Sequence, residues 1–443
     1  MLILSILLGT LYGMIIGIVP AVGATVGLTF LFGFISVLQI DPYLSLAFIT
    51  AAIASSTTAD SLSSILVGIP GANSSAATVM DGYPMTKKGE GIRAVSAAVF
   101  TSTVSGLLVG IAVLSFLPYY TYFLQYVTTF GIWIILCLSL TCIAFLTSKS
   151  FIRNVIAIGS AFAIGLIGTN PITNADRFTF GWDYLGDGVQ LIFIVTGIFV
   201  IPECIELIRM GKRSVEFKIK DQIGQGIRDF FVNWREASIG TGVGFVVGLI
   251  PGIGGAVSDW VSYSLTKIKN PKETFGNGNI KGVIGPEGSN NAQKVTSLIP
   301  TILFGIPGAS FAAIYIGLLM FLGFEVGTVD VLYDKQFTDI TLWSFLLGTV
   351  LVAVLIVPLF TPIKWLLSIN QAYVACFILI FCAYACLTYT GGIEDVVMFL
   401  LAGMFGCTMK YFRIPPAAFL VSFILFPKVE TYTISVATLN GWF

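Results

Sequence analysis

Five ionisable residues fall within stretches otherwise built from apolar and small side chains: Asp60, Asp81, Asp259, Glu287 and Lys294. A charge at membrane depth is costly, so each is a candidate for ion or substrate handling. Asp60 sits among hydroxyls in SSTTADSL, where it could hold a sodium ion with Ser56, Thr57 or nearby carbonyls, exchange a proton, or simply brace a helix. Asp60, Thr58 and Glu287 are the candidates for ion coupling. Asp81, in DGYPMTKKGEG beside Lys87 and Lys88, reads as a surface cap or loop anchor. Lys294 is expected to pair with Glu287 or Asp60, because an unpaired buried cation is expensive; meeting an anionic substrate is the second reading.

These residues sit near two kinds of backbone irregularity. IVPAVGAT (Ile18 to Thr25) and LIPGIGGA (Leu249 to Ala256) interrupt apolar helices with a proline and several glycines. Proline removes a donor and glycine loosens the chain, so a break near mid-membrane depth is expected. Broken backbone survives there only inside protein or along a polar cavity. One such proline would read as a packing kink; two matched breaks point to a site. The second irregularity is a polar run leading into an IPGA turn: Ser55 to Thr78, and GPEGSNNAQKVTSLIPTILFGIPGAS from Gly285 to Ser310. Both read as helical hairpins with the turn at the tip, where the N–H groups of a new helix N-terminus suit a carboxylate. Close packing of small residues accounts for the glycines and alanines; it leaves Asn73, Asn290 and Asn291 unexplained.

The elements that must position these motifs follow from composition. Of 443 residues, 56% are hydrophobic and 10% charged, against about 25% charged in a soluble domain. Mean hydropathy is +0.93. Apolar runs of the roughly 20 residues needed to cross a bilayer occur about ten times. Lys plus Arg and Asp plus Glu both total 23, so no charge excess points to nucleic acid. The chain has no His, which leaves any proton relay to carboxylates. The seven cysteines (Cys137, Cys142, Cys204, Cys376, Cys382, Cys386, Cys407) include no CxxC pair and read as packing residues. Met1 to Val19 lack a basic n-region and are expected to belong to the mature fold rather than to a cleaved signal peptide.

The chain repeats itself. GMIIGIVPAVGATVG (Gly13 to Gly27) matches GFVVGLIPGIGGAVS (Gly244 to Ser258), and ILVGIPGA (Ile65 to Ala72) matches ILFGIPGA (Ile302 to Ala309). Pro20 and Pro70 are 50 residues apart, Pro251 and Pro307 are 56 apart. This gives a first repeat at 1–208, a basic connector at 209–237 and a second repeat at 238–443. The connector is cytoplasmic by the positive-inside rule, as are Lys87, Lys88, Arg93, Lys149, Arg153, Lys364, Lys410 and Arg413. Asp176, Asp183, Asp187, Glu394, Asp395 and the stretch Asp330 to Lys335 then fall outside. The two repeats start on opposite sides, which implies inverted topology. No GxSxG elbow, Walker A run or His-containing metal cluster is present, so neither hydrolysis nor ATP-driven transport is supported. An intramembrane aspartyl enzyme is a distant alternative.

The strings GIVPAVGAT, ILVGIPGANSSAATVMDGYPMTKKG, PITNADRFTFGWDYLGDGV, GLIPGIGGA, PEGSNNA, LIPTILFGIPGA and FRIPPAAFLVSFILFPKVE span almost the whole chain. In that order they resemble the TctA family, the large membrane subunit of tripartite tricarboxylate transporters. The resemblance implies a secondary transporter for small organic carboxylates, citrate-like di- or tricarboxylates, in a bacterial inner membrane. It also implies a small membrane subunit, a periplasmic substrate-binding protein and a sodium or proton gradient, with no bound cofactor. Asp60 departs from it, standing where a Gly-rich segment is expected.

The combined expectation is an all-α integral membrane protein, a polytopic helical transporter with inverted repeats, broken helices and helical hairpins, with room for a homo-oligomer. Its site should lie where the repeats meet. The first break would give Ala21, Gly23, Ala24 and Thr25, the polar run Ser55, Ser56, Thr57 and Thr58, and the first turn Gly71, Ala72, Asn73, Ser74 and Ser75. The second repeat would add Gly252, Gly254 and Gly255, then Asn290 and Asn291, then Gly308, Ala309 and Ser310. Rocking and elevator motions both fit. A transporter working without a binding protein, or a passive channel, are the rivals.

Overall fold

The computed structural model describes residues 1–443 apart from 21, 39, 125–127, 171–173, 212–221, 329–330, 332 and 441–443. Ala21, Asp330, the middle of the basic connector and part of the PITNADRFTF run therefore lie outside the described residues. Among the described residues the protein is helical throughout, the exception being a two-residue antiparallel pairing of Gly168 with Arg177 and Thr169 with Asp176. Five helices are long and apolar enough to cross a membrane: Gly91–Phe116, Thr129–Leu146, Leu191–Arg209, Lys335–Ile356 and Pro416–Leu439. The chain is a polytopic helical membrane protein.

The first half opens with α1 (Leu2–Ile18), α2 (Gly23–Leu38) and α3 (Pro42–Leu66). Asp41 caps α3 by accepting Tyr43 N–H and Leu44 N–H, both at 3.0 Å, with Pro42 in the first turn. After a loop come α4 (Val79–Lys87) and α5 (Gly91–Leu124), then α6 (Thr129–Leu146) and α7 (Phe151–Gly165). Next, α8 (Leu191–Val195) passes through a π-turn at Thr196–Val200 into α9 (Ile201–Met210). The second half carries α10 (Ile223–Val232), α11 (Trp234–Leu249), α12 (Gly255–Lys269), α13 (Lys281–Phe304) and α14 (Ser310–Phe321). It closes with α15 (Lys335–Ile356), α16 (Phe360–Ser368), α17 (Gln371–Thr390), α18 (Ile393–Tyr411) and α19 (Pro416–Leu439).

The two most enclosed helices, α3 and α13, are not among the five apolar ones. Apart from Phe48, every α3 residue from Ser45 to Leu66 is buried, and apart from Ile299 so is every α13 residue from Gly282 to Ile302. α3 is rich in hydroxyls and α13 in hydroxyls and amides, a polar load that is costly to expose to lipid. Their burial depends on glycine. On α1, Gly9, Gly13 and Gly17 form an i, i+4, i+8 stripe against α3; a Cβ at these positions would meet Phe48 O at 2.3 Å, Ser55 Oγ at 2.0 Å and Ser56 O at 2.4 Å. On α11, Gly240, Gly244 and Gly248 repeat the stripe against α13, with Gly285 O at 2.0 Å, Ser289 O at 2.5 Å and Gln293 O at 2.6 Å. Partner numbers rise with glycine numbers in both cases, so α1 runs parallel to α3 and α11 parallel to α13.

The expected breaks are present, α1 ending at Ile18 and α11 at Leu249, and at the first the chain reverses. Tyr12 OH donates to Gly27 O at 2.6 Å, and a Cβ on Gly27 would meet Ile16 at 2.2 Å. Thus α2 folds back along α1, and the described residues between Ile18 and Gly23 belong to a hairpin rather than to a kink in a through-going helix. Polar contacts sort to two ends of the helical body. At the α3 start, Tyr43 OH donates to Asp334 at 2.8 Å. Towards the α3 C-terminus, Thr86 Oγ1 donates to Ile65 O at 2.7 Å and Lys88 reaches Asn277 O at 2.5 Å. Nearby in the chain, Arg93 forks onto Asp229 at 2.5 and 3.0 Å.

The glycine stripes give a direct test. Gly242, on the same helix as Gly244, has open space where a Cβ would project, with no atom within 4 Å. We expect Gly244→Ala to cost about 2 kcal/mol through overpacking against α13, read as a lower midpoint in detergent thermal unfolding, and Gly242→Ala to shift stability by no more than about 0.5 kcal/mol.

Candidate functional site

The candidate site lies where α3 crosses α13. Asn290 Nδ2 donates to Thr57 O at 3.1 Å and to Asp60 Oδ1 at 3.4 Å, Asn291 Nδ2 donates to Thr58 Oγ1 at 2.8 Å, and Ser61 Oγ donates to Glu287 at 2.7 Å. Rising numbers on α3 meet falling numbers on α13, so the two helices cross antiparallel. Buried polar groups of this kind need partners; each helix supplies some to the other, while Asn290 Oδ1 and Asn291 Oδ1 have none among the described residues.

Three acids are enclosed at the crossing. Asp60, Asp259 and Glu287 are each 1% exposed. A buried ionised carboxylate costs several kcal/mol unless hydrogen bonds replace its hydration. Glu287 receives Ser61 and Thr78 hydroxyls, each at 2.7 Å. Asp259 takes the Ala77 N–H at 2.6 Å through Oδ2, while Oδ1 has no partner among the described residues. Asp60 receives Ser74 Oγ at 3.1 Å besides the long contact from Asn290. The expected ion pair of Lys294 is not formed: its Nζ lies 4.4 Å over the Phe311 ring, and among the described residues no carboxylate stands within salt-bridge distance. Both Glu287 oxygens and both Asp60 oxygens accept neutral donors in its place.

The hairpin tips converge on this crossing. A Cβ on Gly71 would meet Asp60 Cα at 2.7 Å and Gly17 O at 2.6 Å, and one on Gly23 would meet Ala72 at 2.9 Å. The second half shows the same pattern: Gly308 lies against Ser297 at 2.7 Å and Gly254 lies 3.8 Å from Ala309, measured the same way. Gly252 N–H donates to Pro307 O at 3.2 Å. Gly23, Gly252 and Gly254 have φ of +53°, +80° and +74°, which a side chain would strain. The halves meet where a Cβ on Gly255 would approach Ser74 Cβ at 2.8 Å and Gln293 Oε1 at 3.3 Å.

Several expected residues sit apart from this meeting point. Ser55 and Ser56 turn their hydroxyls to Ala51 O at 2.9 Å and Ile53 O at 3.0 Å on their own helix, under the α1 glycines. Thr57 Oγ1 likewise bonds to Ile53 O at 2.8 Å, so its contribution at the crossing is its carbonyl. Thr25 is half-buried, with its carbonyl accepting Thr29 Oγ1 at 2.9 Å. Ser75 Oγ bonds to Ser64 Oγ at 2.9 Å, and Asn73 is exposed. Ala24 is buried and Ser310 half-buried. The first IPGA turn leads into a three-residue 3-10 turn, Asn73–Ser75, so it presents no α-helix N-terminus. The second leads straight into α14, with Ala309 as its N-cap and no side-chain cap. Gln293, Ser61 and Thr78 also stand at the crossing; they lie in the two polar runs, but nothing in the sequence singles them out within those runs, because their roles need tertiary partners. Asp259, by contrast, is legible as an ionisable group at depth.

Asp81 is fully buried and ties the halves together at one end. Its Oδ1 accepts Gly276, Gly278 and Asn279 N–H at 2.8 to 2.9 Å, and its Oδ2 accepts Tyr263 OH at 2.9 Å. In the same loop, the Lys281 ammonium 2.6 Å from Glu273 holds that carboxyl below its usual range. Asp81→Ala should therefore destabilise the protein by about 3 kcal/mol, the scale of several lost bonds to a charged acceptor, and expose the 270–280 loop to trypsin at Lys269 and Lys272. Unchanged digestion would remove the anchoring role.

Known proteins share this sequence pattern. The chain is 29% identical over 437 residues to the "Uncharacterized 52.8 kDa protein in TAR-I ttuC' 3'region" of Agrobacterium vitis, covering 97% of this chain and 84% of that protein. It is 31% identical over 191 residues to the "Uncharacterized protein in TAR-II ttuC' 3'region" of the same organism, covering 43% of this chain and 78% of that one. No solved structure matches. Residues 3–421 match the family described as "Tripartite tricarboxylate transporter TctA family". A chain matched over that length, with broken hairpins and polar helices enclosed in a membrane body, belongs to the TctA family of tripartite tricarboxylate transporters.

Proposed function

We propose that this chain is the permease of a secondary active transporter that imports small organic carboxylates, citrate-like di- or tricarboxylates, across a bacterial inner membrane. Family membership supports a transporter component as its role. The partners that follow are a small membrane subunit and a periplasmic binding protein. A sodium or proton gradient supplies the driving force, with Asp60, Thr58 and Glu287 handling the coupling ion.

The observation that carries this reading is the polar crossing of α3 and α13 inside a lipid-facing body. Enclosing three carboxylates and a lysine at 5% exposure or less has no packing benefit; such groups cost stability and are retained for ion and substrate pathways. The antiparallel crossing, with a parallel glycine-striped partner on each side, supports two repeats of inverted topology at 1–208 and 238–443 joined by a cytoplasmic connector at 209–237. In that arrangement substrate sits between the repeats and access alternates by their relative movement. The cargo contacts in this reading come from the two tips, Gly71 to Ser74 and Gly252 to Gly255, with Asn290, Asn291 and Gly308 to Ser310.

The test is proteoliposome uptake of labelled citrate, succinate and malate, with sodium and pH gradients imposed separately and a cognate binding protein added. One gradient should drive accumulation. Asp60→Asn should reduce gradient-driven uptake about tenfold or more, the loss of at least about 1.4 kcal/mol of coupling, while leaving the chain monodisperse in detergent. Uptake that equilibrates without accumulating under either gradient would mark a passive pore instead.

A further inference from the structure

We infer that Lys294 receives a carboxylate group of the cargo, against the first turn of α14. The inference rests on the transport of carboxylates proposed above and names the group that recognises the charge.

Among the described residues, Lys294 is the only cation enclosed at the crossing, at 5% exposure. Its ammonium stands over the Phe311 face at 4.4 Å, with no carboxylate of the described residues in salt-bridge reach. A cation–π contact is worth about 0.5 to 2 kcal/mol, against a penalty of several kcal/mol for an enclosed ion. Its side chain is therefore held short of a full counter-charge. Asp60 is close enough to interact electrostatically but not to pair, and its oxygens are turned to Ser74 and Asn290.

Unsatisfied donors lie on the two helices that carry Lys294 and Phe311. Phe311 is the second residue of α14, a 12-residue helix whose N-cap, Ala309, has no side chain able to cap it. The first-turn N–H groups of α14 thus have no intrahelical acceptor and carry the positive end of the helix dipole. Next to Lys294 on α13, Gln293 is fully buried with both amide atoms unpartnered among the described residues, and it faces Gly255 and Ser74 at the junction of the halves. An ammonium beside a helix N-terminus fits a carboxylate, which can accept from both, and the Gln293 amide offers a further donor at the adjoining junction of the halves. A neutral or cationic group would leave the Lys294 charge unmet.

The test is isothermal titration of the purified full chain with citrate, succinate and malate, and with the monoamide of whichever acid binds. In the wild type, converting one carboxylate to an amide should weaken binding about tenfold or more. In Lys294→Gln, acid binding should fall by about that factor and the preference for acid over amide should shrink to within about twofold. Lys294→Arg should retain the preference. A Lys294→Gln protein that still prefers the acid by the wild-type factor overturns the inference. So does recovery of acid binding in Asp60→Asn/Lys294→Gln, because Lys294 would then serve only as an internal counter-ion. If the wild type binds none of the three acids, the carboxylate-transport reading itself fails.

Discussion

The structure depends on one constraint: two helices too polar for lipid must be enclosed by protein on every side. α3 and α13 satisfy it by crossing each other at Thr57–Asn290, Thr58–Asn291 and Ser61–Glu287, and by each lying along a glycine-striped partner. The stripes let backbones approach until a single methyl group would collide with a carbonyl. That closeness removes lipid from the polar surface and leaves the amides and hydroxyls to one another. The apolar helices then form the outer body around this centre.

The same constraint explains where the chain can be irregular. The described residues of the tips at 18–23 and Ile250 to Gly254, and the turns at Gly68 to Ala72 and Gly305 to Ala309, have backbone groups that a membrane would leave unsatisfied. They are packed against α3 and α13, where Asp60, Ser297 and the facing tips surround them. Irregular backbone, enclosed carboxylates and a lysine without an ion-pair partner therefore collect in one place, which is where a membrane protein can handle a charged solute.

Much of this is legible in the sequence. The paired prolines, the recurring IPGA turn and the spacing of Gly13 and Gly17 with Gly244 and Gly248 are local signals, and periodicity exposes them. The lipid-crossing segments are legible for the same reason, since hydropathy is a property of neighbours in sequence. What is not legible depends on distant partners. The return of α2 along α1 rests on Tyr12 reaching Gly27. The position of the Lys294 ammonium, over the Phe311 ring and outside salt-bridge distance of the described acids, depends on the packing of α13 against α14, which no local pattern indicates. The 3-10 turn at Asn73–Ser75, where a helix start was expected, comes with Ser75 Oγ accepting from Ser64 Oγ and donating to Ala72 O.

The central claim is that solute passes at the junction of the two tips and the α3–α13 crossing. Asn73 is the exposed residue of the first tip, so a cysteine placed there reports on that junction. In a background with the seven native cysteines replaced, the most direct measurement is the rate at which a membrane-impermeant thiol reagent labels Asn73→Cys. The account predicts that a transported carboxylate slows labelling in a saturable manner. A labelling rate unchanged by any carboxylate that the same protein transports would contradict it.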